Sequence, residues 1–271
     1  MNYSVLMAVY YKENPVFFDL SLESILTNQT LRPYEVVLVC DGELVPQLED
    51  VILKYCNLYP EIMKVYRKER GGLGKALNYG LTKCSCSLVG RADSDDICME
   101  TRFEKQVAFM SLHPEYVVTS GTICEFVDTP EVILRKKHNP TTYEGAYNKA
   151  KISNPLNHMA VMFRKDIILE MGSYHDVPLL EDYDLWTRIL IAGYKICNMD
   201  EELVYARIGN GMVNRRSSKK QIQGWMTISK NMLEHKMINY IEYIRNYLMI
   251  CSFVYLPVWA KEFVYSKLLR N

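Results

Sequence analysis

Residues 87–96 read SLVGRADSDD: a short apolar run, Ser87 to Ala92, that delivers an arginine and then the acids Asp93, Asp95 and Asp96. A strand that ends in carboxylates suits an open α/β sheet, where ligands lie beyond the carboxyl ends of the strands. The sequence upstream supports that frame. YSVLMAVY (3–10) is a buried-strand run followed by Asn14-Pro15, an N-cap residue with proline at the first helical position, which predicts a helix to about Thr27. YEVVLVCDG (34–42) is a second run closed by Asp-Gly; residues 44–59 have helical spacing, MKVYRK (63–68) is a third strand, and 72–83 a further helix. This alternation predicts a mostly parallel, doubly wound central sheet flanked by helices, with Tyr10, Asp41 and Asp93 at its carboxyl edge.

Beyond Pro114 the pattern loosens. YVVTSGTICEFV (116–127) reads as a strand, RKKHNPTTYEGAYNKAKISNP (135–155) as a loop with helical turns, HMAVMFRK (158–165) as a strand, and DIILEMG (166–172) as a helix stopped by Gly172. LLEDYDLWTRILIAGYK (179–195) is amphipathic, with Leu185, Ile189 and Ala192 at helical spacing. From about Ser217 the chain is helix-like. Tyr247 to Ala260 is mostly apolar but contains Pro257, and it falls short of the roughly 20 apolar residues of a membrane span. Flanked by Arg245, Lys261, Lys267 and Arg270, it fits either a segment lying on an anionic membrane surface or a terminal helix packed on its own domain.

A 49% hydrophobic content supports a substantial core, and 32 basic against 32 acidic residues leave no bulk field for nucleic acid. The opening MNYSVLMAVYY lacks the basic region and long apolar stretch of a secretory signal, so the 8 cysteines are expected to be reduced thiols of a cytoplasmic protein. Cys84 and Cys86 form a C-x-C without the second pair or histidines of a zinc site.

Three constellations carry chemistry. Asp93 and Asp95 project to one side of an extended chain, and hard oxygen ligands suit Mg²⁺ or Mn²⁺ bridging a diphosphate. The competing reading is that Asp95 or Asp96 caps a helix starting near Met99, although one cap does not require three acids. GGLGKALNYGL (71–81) fails both the Walker A and the Rossmann patterns, having Glu69, Ala76 and Leu77 where those need glycine, Ser or Thr, and glycine. What remains is a glycine-rich entry to a helix carrying Lys75 and Asn78, able to meet an anion at its N-terminus, or else a tight turn before a packed helix. In LLEDYDLWTRI, Glu181, Asp182 and Asp184 stand at a helix mouth, where the macrodipole alone favours acids. A carboxylate there is also placed to act as general base toward a hydroxyl. A metal-diphosphate site with a base, on a nucleotide-binding sheet, is equipment for moving a glycosyl group from a nucleotide sugar.

In order along the chain, SVLMAVYYKENP, VVLVCDG, GLGKALNYGL, RADSDD and EDYDLWTRI resemble the motif series of the family 2 glycosyltransferases of GT-A fold, over roughly residues 3–210. The resemblance implies a nucleoside pocket lined by Ala8, Tyr10, Glu13 and Asp41, with Asp93 on the ribose or the metal and Asp95 on the metal. Arg91 and Ser94, within the same motif, and Lys75 and Asn78 join the donor-binding set. Asp182 is the implied base for inverting attack, supported by Glu181; Asn157, His158 and Trp186 are expected on the acceptor side. Arg215 and Arg216 sit where such enzymes place basic residues over the diphosphate. The processive signature Q-x-x-R-W is absent, which favours single addition.

The chain is closer still to bacterial exopolysaccharide and O-antigen transferases. That implies a catalytic domain over 1–215, whose halves about 1–100 and 101–215 take donor and acceptor, and a helical C-terminal segment over 216–271. It further implies Glc or Gal transfer from a UDP-sugar, as in those of these enzymes that make a β1,3 linkage to GlcNAc-diphospho-undecaprenol, and work at the inner face of the cytoplasmic membrane. A sugar nucleotidyltransferase and a non-catalytic nucleotide-sugar-binding protein stand as alternatives.

Overall fold

The computed structural model describes residues 1–177, 179–209 and 219–256. Strands β1 (Tyr3–Val9), β2 (Glu35–Asp41), β3 (Met63–Lys68) and β4 (Leu88–Ala92) are parallel, with helices α1 (Pro15–Leu26), α2 (Pro46–Leu58) and α3 (Leu73–Leu81) as crossovers. Asn14 caps α1 through a bond from Val16 N, with Pro15 at its start, as the sequence indicates.

After the aspartates come β5 (Ile97–Cys98), α4 (Arg102–Leu112), β6 (Tyr116–Phe126) and β7 (Arg135–Lys137). They are followed by α5 (Tyr143–Ala150), a 3₁₀ turn (His158–Ala160), β8 (Met162–Arg164), α6 (Lys165–Glu170), α7 (Glu181–Ile191) and β9 (Lys195–Arg207). The sheet runs β3-β2-β1-β4-β8-β6-β9-β5, with β7 beside β6. Its first half is parallel and its second mixed, because β8 returns antiparallel to β4 and β6 while β9 runs parallel to β6.

Strand β2 is buried along its whole length, which accounts for its continuous apolar run. Val36, Leu38 and Cys40 pack on one face toward α1, α2 and α4; Val37 and Val39 pack on the other toward α3 and α7. Alternation at period 2 thus feeds two cores from one strand. A Cβ at Gly80 would lie 2.5 Å from Leu6 and 2.7 Å from Val39, so this glycine lets α3 settle directly on β1 and β2.

The C-terminal segment forms a hairpin of α8 (Lys219–Glu234) and α9 (Tyr240–Tyr255). A capping box of Asn239 and Glu242 starts α9. Ile228, Met232, Met237 and Ile238 belong to the same core as α7, and Trp225 meets Tyr183 at 5.1 Å between ring centroids. Buried Asn246 donates to Lys151 O at 2.9 Å. The described part of the tail is therefore packed on α7 and on the chain that follows α5.

Candidate active site

The acids at the end of β4 converge: Asp93, Asp95 and Asp96 each bring a carboxylate oxygen within 4.8 Å of the others. Buried Arg91 ion-pairs with Asp93. Ser94 Oγ donates to Glu13 Oε2 at 2.6 Å, tying the motif to the loop after β1. Asp96 accepts from the backbone N–H of Arg207 at 2.8 Å, and Arg207 Nε donates to Asp95 O at 3.2 Å. Neither Asp95 nor Asp96 caps a helix: α4 begins three residues beyond Met99, without a side-chain cap, and the intervening chain forms β5. That competing reading is corrected.

Burial, then the charges of Asp93 and Glu13, pushes the Asp95 carboxyl up to about 7. Burial, then Asp95 and Asp93, raises Asp96 well above the ordinary range. Carboxylates held this close against their mutual repulsion form an all-oxygen donor set that fits a hard divalent cation such as Mg²⁺ or Mn²⁺. Behind them Arg102, fully buried, donates to Arg91 O at 2.6 Å and to Cys98 Sγ, bracing the strand end.

Asp41 ends β2. Its Oδ1 accepts from Lys68 Nζ at 2.9 Å and Gly71 N at 2.8 Å, and its Oδ2 from Gly72 N at 2.8 Å. Burial opposes ionisation, but Lys68 and these amides outweigh it and hold the carboxyl below its usual value. The carboxylate thus organises the glycine turn, where Gly72 has φ +90°, and keeps acceptor capacity at Oδ2. Tyr10 is exposed and Ala8 half-buried at the end of β1, while Arg70 stacks on Tyr11 at 4.6 Å beside Asp41.

Lys75 lies on the first turn of α3 and, with Gly72, Gly74, Tyr174 and Glu181, lines a cavity of about 240 Å³. Asn78 faces away from this role. Its amide is taken up by Ser173 and Tyr174, at 2.6 to 2.8 Å, so it braces the loop before α7.

Asp182 stands in a second cavity, of about 170 Å³, shared with the C-terminal hairpin. Asn154 Nδ2 donates to its Oδ2 at 2.5 Å and Tyr183 N to its Oδ1 at 2.8 Å. Adjacent acids at one helix mouth therefore open on different spaces, Glu181 toward the glycine turn and Asp182 toward the hairpin.

The residues expected on the acceptor side lie deeper. Asn157 is buried and donates to Gly121 O at 2.9 Å, and Trp186 is fully buried in the core. His158 bonds Tyr174 Oη at 3.0 Å, and burial, then the Arg91 charge, holds its pKa well below 6.5. They form a layer behind the site. Arg215 and Arg216 lie outside the described residues.

Sequence reading passed over Arg207, Arg102, Asn154 and Tyr174. Arg207 had one usable signal: an arginine among apolar residues at the end of a long run, here sandwiched between Phe17 and Phe126 at 3.7 and 4.5 Å.

Residues 4–169 match the family model described as "Glycosyl transferase family 2". The chain belongs to the family 2 glycosyltransferases. This transferase is 37% identical to the amylovoran biosynthesis glycosyltransferase AmsE of Erwinia amylovora, over 98% of each chain. It is 33% identical to a UDP-Gal:alpha-D-GlcNAc-diphosphoundecaprenol beta-1,3-galactosyltransferase of Escherichia coli, over 99% of this chain and 97% of that one. Its fold is GT-A. It superposes on S. aureus TarS 1-349 in complex with UDP-GlcNAc with TM-score 0.66 at 19% identity, covering 94% of this chain and 73% of that one. It also superposes on the mannosyltransferase PcManGT of Pyrobaculum calidifontis, in complex with GDP-Man and Mn2+, with TM-score 0.65 at 17% identity, covering 98% and 73%. Membership in this family sets aside the sugar nucleotidyltransferase and the non-catalytic binding protein.

Proposed function

We propose that this transferase moves a hexose, Glc or Gal, from a UDP-sugar to a lipid-diphosphate-linked saccharide in exopolysaccharide or O-antigen synthesis, with inversion at the anomeric carbon. The observation that carries the reading is Asp182, a carboxylate at the mouth of α7 that Asn154 orients in a cavity. The names of the Erwinia and Escherichia relatives support the pathway, the donor and the acceptor class.

The Asp182 carboxylate takes the proton of the acceptor hydroxyl. The freed oxygen attacks the anomeric carbon, whose bond to the β-phosphate oxygen breaks, and UDP leaves with that electron pair. Ala8, Tyr10, Glu13 and Asp41 surround the nucleoside; Lys75, Arg91 and Ser94 serve the sugar-diphosphate side, and Glu181 closes it. Asp95 with Asp93 would hold Mn²⁺ or Mg²⁺, which supplies positive charge to the departing diphosphate. Asn78, Asn157, His158 and Trp186 act through position, supporting the loops that carry these groups.

Work at the inner face of the cytoplasmic membrane is part of this reading. No helix among the described residues is long and apolar enough to cross a membrane. However, α9 exposes Ile241, Ile244, Leu248 and Tyr255 along one face, opposite its buried Asn246, Ile250 and Phe253. Such a stripe suits peripheral contact with lipid. Transfer should be measured with a panel of UDP-sugars and a GlcNAc-diphospho-lipid, with Mn²⁺ or EDTA. Metal-dependent UDP release needing both one donor and the acceptor is expected; equal release without the acceptor would contradict the reading.

A further inference from the structure

The C-terminal hairpin lies outside the segment that matches the family model, yet it walls the cavity occupied by Asp182. Trp225 of α8 and Ile250 and Phe253 of α9 give it apolar lining, and Lys137 of β7 and Lys149 of α5 line the same space. Lys149 is half-buried and donates to the amide oxygen of Asn139 at 2.6 Å. Burial pulls its pKa down.

A cation drawn out of water against a neutral partner is electrostatically incomplete, and an anion entering the cavity completes it. Lysine is a compact point charge suited to phosphate. Trp225, Ile250 and Phe253 offer aromatic and aliphatic surface in the same cavity, which suits a group without hydrogen-bonding capacity. One cavity thus presents a base for a hydroxyl, cations for an anion, and an apolar face. These are the parts of a glycosyl phosphate carried on a lipid.

We propose that this cavity is the acceptor subsite, in which Lys149, assisted by Lys137, holds the phosphate at the acceptor's reducing end while Trp225, Ile250 and Phe253 receive the start of its lipid chain. The assignment rests on the transferase reading above and adds to it the residues that select a charged, lipid-borne acceptor over a neutral sugar. It also gives the hairpin a task beyond covering the core.

The test uses the full chain and three acceptors: a GlcNAc-diphospho-lipid with a short isoprenoid chain, the corresponding monophospho-lipid, and the neutral octyl glycoside of GlcNAc. In Lys149→Met, KM for the diphosphate acceptor is expected to rise about tenfold or more, the net worth of a hydrogen bond to a charged group. The donor KM and the KM for the octyl glycoside should stay at wild-type values, and Lys149→Arg should restore most of the loss. Inhibition by farnesyl diphosphate should weaken in Lys149→Met, and a similar response to the monophospho-lipid would place the first phosphate at Lys149. A Lys149→Met enzyme whose KM is unchanged for every acceptor, or raised equally for the neutral glycoside, overturns the subsite while the transferase reading stands. Failure of the wild type to use any acceptor, with UDP-sugar bound, overturns the transferase reading and the subsite together.

Discussion

Asn78 grips both backbone polar groups of Tyr174, accepting from Tyr174 N at 2.8 Å and donating to Tyr174 O at 2.6 Å. Helix α3 is thereby fastened to the loop that leads into the acids of α7. Replacing Asn78 with Ala leaves these backbone groups without partners. It should cost roughly 2 kcal/mol in denaturant unfolding and raise the donor KM, since Tyr174 walls the cavity containing Glu181. An unchanged unfolding midpoint would show that the loop holds without this bond.

The aspartate cluster makes a prediction about metal. Asp95→Asn keeps the size of the side chain and removes one hard anionic ligand. Calorimetry should show UDP binding that Mn²⁺ strengthens in the wild type and leaves unchanged in Asp95→Asn. Equal strengthening in both would remove Asp95 from the metal site.

His158 makes a prediction about pH. Its pKa is held well below 6.5 by burial, then by the Arg91 charge, whereas the unfolded chain carries an ordinary imidazole. Between those values the unfolded state binds more protons, so the contribution is complete above 6.5 and is lost as the pH falls. Stability measured at about pH 7.5 and 5.5 should therefore drop less in His158→Gln than in the wild type. An identical drop in both proteins would mean that folding does not depress the His158 pKa.

The exposed stripe of α9 makes a prediction about membranes. Ile244→Glu with Leu248→Glu alters only the solvent face, leaving Asn246 and Ile250 in place. The double variant should keep the wild-type Tm and lose co-sedimentation with anionic vesicles. Unchanged co-sedimentation would move the membrane contact off this helix.

The donor half of the fold is legible in the sequence because strands buried on both faces read as apolar runs, as Val5 to Val9 in β1 and Val36 to Cys40 in β2 do. Strand β9 is not legible: Asp200, Glu201 and Glu202 interrupt it, and its pairing to β6 is irregular at that point. Missing it hides Arg207, which the sheet carries back to Asp96 from more than a hundred residues away. The acids of the site stand out because such carboxylates need a reason to be together. Asn78 stands out equally but is spent on a structural bond, and composition cannot tell a ligand contact from a backbone brace. Lys149 is silent in the sequence, since its environment is made by α5 and the C-terminal hairpin, segments far apart in the chain.

The most direct measurement is transfer by Asp182→Asn alongside UDP-sugar binding by the same protein. The carboxamide preserves shape and removes the proton acceptor, so kcat should fall by about 10²- to 10⁴-fold, with donor affinity and Tm at wild-type values. An Asp182→Asn enzyme that transfers at the wild-type rate would contradict the central claim that Asp182 activates the acceptor hydroxyl.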